Sequence, residues 1–357
     1  KIVVVGAGVI GLTTAYILLK NNYQVSLIAS FFPSDSTSIM EYTSMKAGAY
    51  YAPGGTHDTP LEERKIDLPS YREILKIAQD HPEAGVWIKE AIQYIDKSHK
   101  EDLMEALTYD GPWWKNHVNN YKKIPENEFP NDKIGFGFKF DTFIISPIPY
   151  LHFLLSECIK LGLNFRRYKI ENLDSAIEFF INPITKNYEK GDIVINCTGN
   201  GSIKLVPQDK KTFTIRGQTI LVENNSSTLK VVRIKDENYP GEFIGIIPRK
   251  EGGSLLNGIY SFRDNSSSID YDLANRIIER CLEYAPELID PNFSKNKPYL
   301  KIISHNVGLR PGRESGPRIE KEITPKKTLI IHNYGASNVG YIKSFGLAEK
   351  VLDLIKQ

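Results

Sequence analysis

The N-terminus of the chain joins a short apolar strand to an amphipathic helix through a glycine-rich turn. Residues 2–5 are all Ile or Val, and Gly6, Gly8 and Gly11 follow in the spacing G-x-G-x-x-G, ahead of a second strand predicted over residues 24–28. In such a unit the first glycine makes the turn, the second lets a phosphate approach the backbone, and the third lets the helix pack against the strand. The N–H groups at the start of the helix then favour a pyrophosphate. The pattern predicts an α/β fold that begins with a Rossmann-like, dinucleotide-binding unit.

The part of this unit that binds the adenosine ribose departs from the usual pattern. An acidic residue is expected near the end of the second strand, but residues 28–31 read Ile-Ala-Ser-Phe. The hydroxyl of Ser30 can hydrogen-bond a ribose, although more weakly than a carboxylate, so other contacts must help to hold the adenosine. The following loop, residues 42–55, is rich in small and hydroxyl side chains. It suits a segment lying against a flat ring and its phosphates, and it suits a surface loop equally well.

Composition argues against several classes of function. The 357 residues carry 45 basic and 43 acidic side chains, and no basic tract indicates a nucleic-acid partner. Three widely spaced cysteines, Cys158, Cys197 and Cys281, form neither a disulfide framework nor a metal-ligand spacing, so we expect a reducing compartment and no metal. No apolar run is long enough to span a membrane.

The rest of the chain alternates between helical and strand patterns. Helices rich in Glu and Lys are predicted across residues 60–110, partly from the spacing of four apolar residues, Val86, Ile88, Ala91 and Ile92. Strands of a second domain are predicted within 111–145, and an antiparallel sheet over 205–300. The remaining predicted elements are strands at 164–170, 192–196 and 328–332 and helices at 150–161, 273–283 and 342–355.

Two later strands also open onto glycine-rich turns. Residues 197–201, after the strand at 192–196, read Cys-Thr-Gly-Asn-Gly, which indicates a second close approach of the backbone to a ligand. Residues 333–341, after the strand at 328–332, contain Gly335 and Gly340 and precede the last helix. The positive end of that helix suits the electron-rich edge of a reduced ring.

Four motifs, in this order along the chain, resemble those of the D-amino-acid oxidase family, which includes the D-aspartate oxidases. They are the N-terminal G-x-G-x-x-G, Asn-Cys-Thr-Gly at 196–199, His-Asn-Val-Gly-Leu-Arg-Pro at 305–311, and the segment from His-Asn-Tyr-Gly to Gly-Tyr at 332–341. The resemblance covers essentially the whole chain. It implies non-covalent FAD and oxidative deamination of D-amino acids. In that reaction a hydride passes from Cα to the flavin, O2 reoxidises the flavin to give H2O2, and the products are a 2-oxo acid and ammonia.

The expected fold class is therefore α/β, with a Rossmann-like FAD-binding domain and a second, mainly antiparallel-sheet substrate domain. Both domains are discontinuous in sequence. The FAD-binding domain is predicted to comprise residues 1–52, 146–205 and 300–357, and the substrate domain residues 53–145 and 206–299.

The glycine turns and the resemblance together predict the residues that contact FAD. This cofactor set is Gly6, Ala7, Gly8, Val9, Ile10, Gly11, Ser30, Thr43, Ser44, Lys46, Ala47, Gly48, Ile170, Thr198, Gly199, Arg310, Gly335, Ser337, Asn338, Val339, Gly340 and Tyr341.

The resemblance implies that Arg310 and Tyr260 are the catalytic residues and bind the substrate carboxylate. A guanidinium binds a carboxylate through two parallel hydrogen bonds, and a tyrosine hydroxyl can share the same carboxylate. Held in this way, the substrate presents its Cα hydrogen to the flavin and needs no strong protein base. Taken without the resemblance, Arg310 reads equally as part of a structural ion pair, and a tyrosine in a strand, such as Tyr260, is more often a core residue.

One position departs from the family pattern. Relatives generally have an active-site tyrosine immediately before Ile-Ile-Pro, and this chain has Gly245 there. The loss of the ring enlarges the pocket or lets another group, Tyr239 or Phe243, move in.

The side-chain specificity of the substrate is expected to depend on Arg233 and Lys235. A cation there pairs with a second carboxylate, and an unpaired buried cation penalises apolar substrates. We therefore expect an acidic D-amino acid, D-aspartate or D-glutamate, with His57 and Asn338 as further substrate contacts. The alternative is that both cations are exposed charges on a strand edge.

Other functions stay open. They are a D-amino-acid oxidase for neutral substrates, a flavin amine oxidase of the glycine or sarcosine type, and a non-catalytic dinucleotide-binding protein. The expected partners are a D-amino acid and O2, with no nucleic acid and no membrane, and a homodimer is one expectation for the assembly. Family members are often peroxisomal; the chain ends in residues 353–357 without a Ser-Lys-Leu signal, so we expect a peroxisomal or otherwise a cytoplasmic location.

Overall fold

The computed structural model describes residues 1–36, 39–289 and 300–357. In chain order its strands are β1 (Ile2–Val5), β2 (Val25–Ala29), β3 (Val86–Asp96), β4 (Lys122–Lys123), β5 (Ile134–Ile145), β6 (Asn164–Arg167), β7 (Phe180–Ile181), β8 (Tyr188–Glu189), β9 (Ile193–Asn196), β10 (Thr212–Val222), β11 (Leu229–Arg233), β12 (Glu242–Pro248), β13 (Ser254–Ile259), β14 (Ser261–Phe262), β15 (Ile302–Arg313), β16 (Arg318–Ile323) and β17 (Leu329–Tyr334). Its helices are α1 (Val9–Lys20), α2 (Leu61–Lys65), α3 (Leu68–Asp80), α4 (Lys100–Tyr109), α5 (Pro147–Lys160), α6 (Ser202–Leu205), α7 (Tyr271–Tyr284) and α8 (Gly340–Lys356). None of these helices is both long and apolar enough to cross a membrane.

The first sheet orders six strands as β16-β17-β9-β1-β2-β6. Every neighbouring pair is parallel except β16–β17. The side chains of β1 are buried on both faces, as expected of a central parallel strand. Helices α1, α5 and α8 cover one face, where Leu12, Leu151 and Phe345 share an apolar core with Val4. Because the carboxyl ends of parallel strands meet at one edge, the glycine turns after β1, β9 and β17 come together there.

The second sheet is mainly antiparallel. Its strand order is β14-β10-β13-β12-β11-β3-β5-β4, and β15 pairs with the other edge of β10. Strand β11 runs parallel to β3. Helix α7 packs on one face, where Leu273, Ile277 and Cys281 share a second core with Ile246 and Leu256. The opposite face is left to line the candidate site.

One predicted helix is wrong. Residues 86–96, assigned to a helix from the spacing of their apolar side chains, form β3. Its β-branched and aromatic residues, including Val86, Trp87, Ile88 and Tyr94, favour a strand, and it pairs with β5 along its whole length. The other predicted elements are confirmed with boundary shifts of a few residues, among them the strands at 212–222 and 242–248 and the last helix.

The α/β fold with two large sheets agrees with the expectation. One strand, however, belongs to a different sheet from the one that the predicted domain boundaries imply. Strand β15 belongs to the second sheet, although residues 300–357 were assigned to the FAD-binding domain. Its long register with β10 explains this, because it continues the antiparallel sheet. Residues 290–299 of the predicted substrate domain lie outside the described residues. The domain boundaries as such stay a prediction.

Candidate active site

A cavity of about 1440 Å³ is lined by the carboxyl edge of the first sheet and by the free face of the second. Pockets for single small molecules typically have roughly 300–1,000 Å³, so this one has room for a dinucleotide and a second small molecule. Every residue of the predicted cofactor set lines it except Gly11. Of the predicted substrate contacts, Arg310, Tyr260, Arg233, Lys235 and Asn338 line it, whereas Gly245 and His57 do not.

The glycines of the N-terminal turn have separate roles. Gly6 has φ +110°, a left-handed conformation that favours glycine, and a side chain there would collide with the carbonyl oxygen of Cys197. A side chain at Gly11 would collide with the carbonyl oxygen of Gly6, so this glycine packs the helix under the turn. A Cβ at Gly8 would point at the cavity wall, 2.9 Å from the Ser44 hydroxyl. The first turn of α1 contains no acidic residue, so no side chain of that turn neutralises the positive helix end.

The hydroxyl-rich loop is anchored to this turn. The Ser44 hydroxyl accepts a hydrogen bond of 3.0 Å from the backbone N–H of Val9, and the Tyr341 hydroxyl donates to the Ser44 carbonyl at 2.8 Å. Tyr42 donates to the carbonyl of Ala7 at 2.6 Å. The loop therefore forms a wall of the cavity, which favours the ligand-facing alternative over the surface loop.

The first acidic residue after β2 does not supply the expected ribose contact. Ser30 lines the cavity, and its carbonyl accepts a 3.0 Å hydrogen bond from Arg167. Asp35, the first acidic residue after β2, is bound by the same guanidinium through two hydrogen bonds of 2.6 Å. These hydrogen bonds lower the pKa of Asp35. Asp35 is committed to Arg167 and does not line the cavity.

The other two turns contain buried amide groups that need a partner. Asn196 Oδ1 accepts hydrogen bonds from the Thr198 backbone N–H at 3.2 Å and from its hydroxyl at 2.7 Å, which fixes the turn after β9. The side-chain oxygens of Asn200 and Asn333, also at the cavity, are buried and have no partner among the described residues. A glycine cradle, a positive helix end and unpaired amide oxygens fit a cofactor that carries a pyrophosphate, hydroxyls and N–H groups. The residues present therefore fit FAD.

One peptide unit connects the glycine turns to the part of the cavity that contains Arg310. The carbonyl oxygen of Leu309 accepts hydrogen bonds of 2.7 Å from the Thr43 hydroxyl and from Asn200 Nδ2. The next residue, Arg310, donates from Nη1 to the carbonyl oxygens of Arg216 and Ile259, at 3.3 and 3.2 Å.

Arg310 is held on a flat floor. A Cβ at Gly217 would lie 2.6 Å from both terminal nitrogens of the guanidinium. The guanidinium therefore occupies the space that a side chain at Gly217 would need. The Tyr260 ring centroid lies 4.8 Å from the guanidinium carbon, within cation–π distance. Burial lowers the pKa of Arg310, although a guanidinium stays protonated in a protein. Within the described part of the chain, Arg310 has no carboxylate partner.

The ring of Phe243 covers the position that Gly245 leaves open. Phe243 and Tyr260 stack with ring centroids 4.6 Å apart, and a Cβ at Gly245 would lie 3.3 Å from Phe243 Cε2. Asn338 Nδ2 donates to the Tyr260 hydroxyl at 3.4 Å. Tyr239, the other candidate for this place, does not line the cavity.

Both cations that were expected to read a second carboxylate are already paired. Arg233 Nη1 donates to Asp102 at 2.7 Å, and Lys235 donates to Glu101 at 2.8 Å, both from α4. Lys235 is also 55% exposed. Burial and Tyr260 raise the pKa of the Tyr50 hydroxyl while Arg233 and Arg310 oppose them, so both guanidinium groups act on this hydroxyl.

His57 lies away from the cavity. Its ring stacks on Tyr109 with centroids 4.0 Å apart, and Nδ1 lies 2.8 Å from the Glu105 carboxylate. In the described residues no three His, Cys, Asp or Glu side chains are grouped so that they hold a metal ion. Burial raises the pKa of the Cys197 thiol to about 12, which keeps it a thiol next to the first turn.

Three residues that shape the site have no local signal in the sequence. Gly217, Asn200 and Asn257 line the cavity, but each is a single residue within a strand or turn. Gly217 lies in the Arg-Gly-Gln segment of β10, and its register opposite Gly308 places it below Arg310. The sequence alone does not give the register between β10 and β15, so the role of Gly217 could not be predicted from it.

Comparison with known proteins agrees with the cavity. The profile of the FAD-dependent oxidoreductase family matches residues 1–354. A D-amino-acid oxidase from Fusarium vanettenii is 34% identical over 99% of this chain and 96% of its own length. A D-aspartate oxidase from Talaromyces thermophilus is 29% identical over 99% and 95%. In fold the chain is similar to the glycine oxidase of Geobacillus kaustophilus, with TM-score 0.75, 15% identity and coverage of 99% and 94%. The chain therefore belongs to the family of FAD-dependent oxidoreductases that includes the D-amino-acid and D-aspartate oxidases.

Proposed function

We propose that the protein oxidises D-amino acids with FAD and O2. The observation that supports this most strongly is Arg310, a cavity-facing guanidinium between Gly217 and Tyr260 that lacks a carboxylate partner among the described residues. An enclosed cation is unfavourable unless a ligand supplies the anion. The α-carboxylate of an amino acid is such a ligand, and the names of the two relatives support the D configuration.

In this proposal the protein mainly positions the substrate. Arg310 binds the carboxylate through two hydrogen bonds, and the Tyr260 hydroxyl, oriented by Asn338, adds a third. FAD, when bound, supplies the acceptor for the Cα hydride and passes the electrons to O2. Fixing the carboxylate at one end orients Cα and converts the reaction into a step between groups already in place.

Anaerobic flavin spectroscopy tests the proposal. The purified protein is mixed with D-alanine, D-asparagine, D-aspartate, glycine, sarcosine or L-alanine, and the flavin absorbance is followed. Bleaching by D-amino acids and not by L-alanine, with H2O2 formed when air is admitted, is the expected result. Bleaching by glycine or sarcosine alone would favour the glycine-type alternative. A bound flavin that no amine reduces would favour the non-catalytic alternative.

Arg310→Lys separates substrate binding from cofactor binding. Lysine keeps the charge but loses the two parallel hydrogen bonds, so we expect kcat/KM to fall about 100-fold or more, which corresponds to roughly 2.7 kcal/mol, with a higher KM. The matched control is Arg263→Lys, because Arg263 is exposed and paired with Glu314. Equal losses in both variants would contradict the role of Arg310.

The sequence predicts acidic substrates, but that prediction requires a cation that is free to bind a second carboxylate. Asp102 and Glu101 already neutralise Arg233 and Lys235. We therefore propose neutral D-amino acids as the preferred substrates. A kcat/KM for D-aspartate above those for D-alanine and D-asparagine would restore the acidic alternative.

A homodimer and a peroxisomal location stay predictions. Size-exclusion chromatography with light scattering tests the first. Imaging of the tagged protein together with a peroxisomal marker tests the second.

A further inference from the structure

A row of residues crosses the second sheet on the face that lines the cavity. Backbone pairing aligns Thr219 with Asn257, Asn257 with Gly245, Gly245 with Val231, and Val231 with Gln93. All of these except Gly245 line the cavity. Residues aligned in this way present their side chains on one face of a sheet.

One polar atom of this row is buried and lacks a partner. Thr219, Asn257 and Gln93 are 7%, 8% and 3% exposed. Among the described residues, the Oδ1 atom of Asn257 is buried without a hydrogen bond. Buried polar groups in proteins are nearly always hydrogen-bonded, because leaving them unpaired is unfavourable. An unpaired amide oxygen on the cavity wall, opposite Thr219 in the same row, therefore indicates a ligand that pairs with it.

Phe243 packs over Gly245, next to the central member of the row. A Cβ at Gly245 would lie 3.3 Å from Phe243 Cε2, 3.4 Å from the Asn257 carbonyl oxygen and 3.5 Å from Asn257 Cβ. A larger residue at Gly245 would therefore press on the Phe243 ring and on Asn257.

We propose that Asn257, assisted by Thr219, binds the side chain of the substrate, and that the preferred D-amino acids carry an uncharged hydrogen-bonding side chain, above all a carboxamide. This rests on the proposed function. Gly217, the floor under Arg310, lies two residues before Thr219, so Asn257 is its diagonal neighbour across the strand pair, at about 7–8 Å. That separation suits a molecule whose carboxylate is on Arg310 and whose side chain points at Asn257.

The chemistry of the row selects among side chains. An amide presents a donor or an acceptor by rotation about its last bond, so Asn257 matches a carboxamide or a hydroxyl at either end. An aliphatic side chain would leave the amide unpaired. A carboxylate would find no cation in the row, and Arg233 nearby is paired with Asp102.

D-asparagine and D-leucine test the inference, because they have nearly the same shape and differ in hydrogen bonding. Anaerobic flavin reduction with each substrate gives a ratio of rate constants over dissociation constants. In wild type we expect D-asparagine to be favoured at least about tenfold, the effect of one hydrogen bond to an otherwise unpaired group. Asn257→Leu should lower the ratio at least about tenfold, and Thr219→Val should lower it less.

Asn187→Leu is the matched control, since Asn187 is exposed and remote from the cavity. Flavin content and thermal stability of each variant are measured alongside, and Thr219→Val tests the row independently if Asn257→Leu does not fold. A wild-type preference for D-leucine, or equal losses with both substrates in Asn257→Leu and Thr219→Val, would overturn the inference and leave the proposed function standing. Absence of flavin reduction by every D-amino acid would overturn the proposed function itself.

Discussion

The guanidinium of Arg310 lies directly against the α-carbon of Gly217, where an added Cβ would come within 2.6 Å of both of its terminal nitrogens. Gly217 is paired across the strands with Gly308, two residues before Arg310. The absence of a side chain at Gly217 allows the charged group to lie flat on the sheet. The proposed position of the substrate carboxylate therefore depends on a residue that has no functional group of its own.

Gly217→Ala should displace Arg310 while leaving FAD in place. Because the methyl group takes the space of the guanidinium, we expect kcat/KM for D-amino acids to fall about 10- to 100-fold, or roughly 1.4–2.7 kcal/mol, chiefly through KM. Steady-state kinetics with flavin quantification make the measurement. Gly54→Ala is the control, since no atom lies within 4 Å of a Cβ there. A normal KM in Gly217→Ala would contradict this account.

Asp102→Asn should change substrate choice by releasing Arg233. The amide keeps the shape of the side chain but no longer neutralises the guanidinium. We expect kcat/KM for D-aspartate to rise about tenfold relative to that for D-alanine, because a new charge pair forms in a partly enclosed cavity. Glu101→Gln, which releases the more exposed Lys235, should have a smaller effect. An unchanged ratio in Asp102→Asn would show that Arg233 does not reach the substrate.

Gly11→Ala should destabilise the fold and not only weaken cofactor binding. Its Cβ would collide with the Gly6 carbonyl oxygen, and relieving that contact requires α1 to move away from the turn. Overpacking of this kind costs roughly 1–3 kcal/mol or more in the free energy of unfolding. Thermal denaturation of the FAD-free protein makes the measurement. Lys20→Ala, an exposed change in the same helix, is the comparison, and a Gly11→Ala protein as stable as that variant would contradict the packing role.

His332 should make stability depend on pH. The ring is buried, with Nε2 3.0 Å from Glu322 and Nδ1 3.2 Å from Asn196 Nδ2. Burial, together with Arg318, lowers the pKa of His332 below its ordinary value near 6.5, although Glu322 opposes this. The unfolded chain therefore takes up a proton near pH 6.5 that the folded protein binds only at lower pH.

The free energy of unfolding is thus expected to fall as the pH drops below about 6.5, by on the order of 1 kcal/mol from this group. Urea unfolding at pH 7.5 and pH 5.5 measures the difference. His332→Asn should reduce it, whereas His81→Asn, at an exposed histidine, should not. Identical pH dependence in wild type and His332→Asn would refute the assignment.

The parts of the site predicted from sequence are those fixed by local geometry. A glycine at Gly6 is required by the turn itself, and the positive end of α1 follows from the strand–turn–helix order, so both were readable without a partner segment. The motif around Arg310 was similarly local. The strand β3 was misread, because its apolar spacing fits a helix and only pairing with β5 decides for a strand.

The parts that were missed depend on which strands lie side by side. Gly217 lies under Arg310 only through the register of β10 with β15, and Asn257 joins its row only through the pairing of β13 with β10 and β12. The same limit applies to charge. From the sequence, Arg233 and Lys235 were interpreted as free cations. The acids that pair with them lie in α4, more than a hundred residues earlier in the chain. His57 was likewise expected to contact the substrate, but its ring contacts the Glu105 carboxylate instead.

The carbonyl of Leu309 and the side chain of Arg310 connect the two ends of the cavity. Thr43 and Asn200 hold it from the cofactor side, while the Arg310 side chain that follows is fixed in the second sheet. The Leu309–Arg310 peptide unit is shared by the contacts at both ends of the cavity. A ligand that tightens the contacts at one end therefore also stiffens this unit. Binding free energies are reciprocal, so a carboxylate inhibitor should raise the affinity for FAD by the same factor by which FAD raises the affinity for the inhibitor. Through β15, we therefore expect substrate supply to influence how much of the protein retains its cofactor.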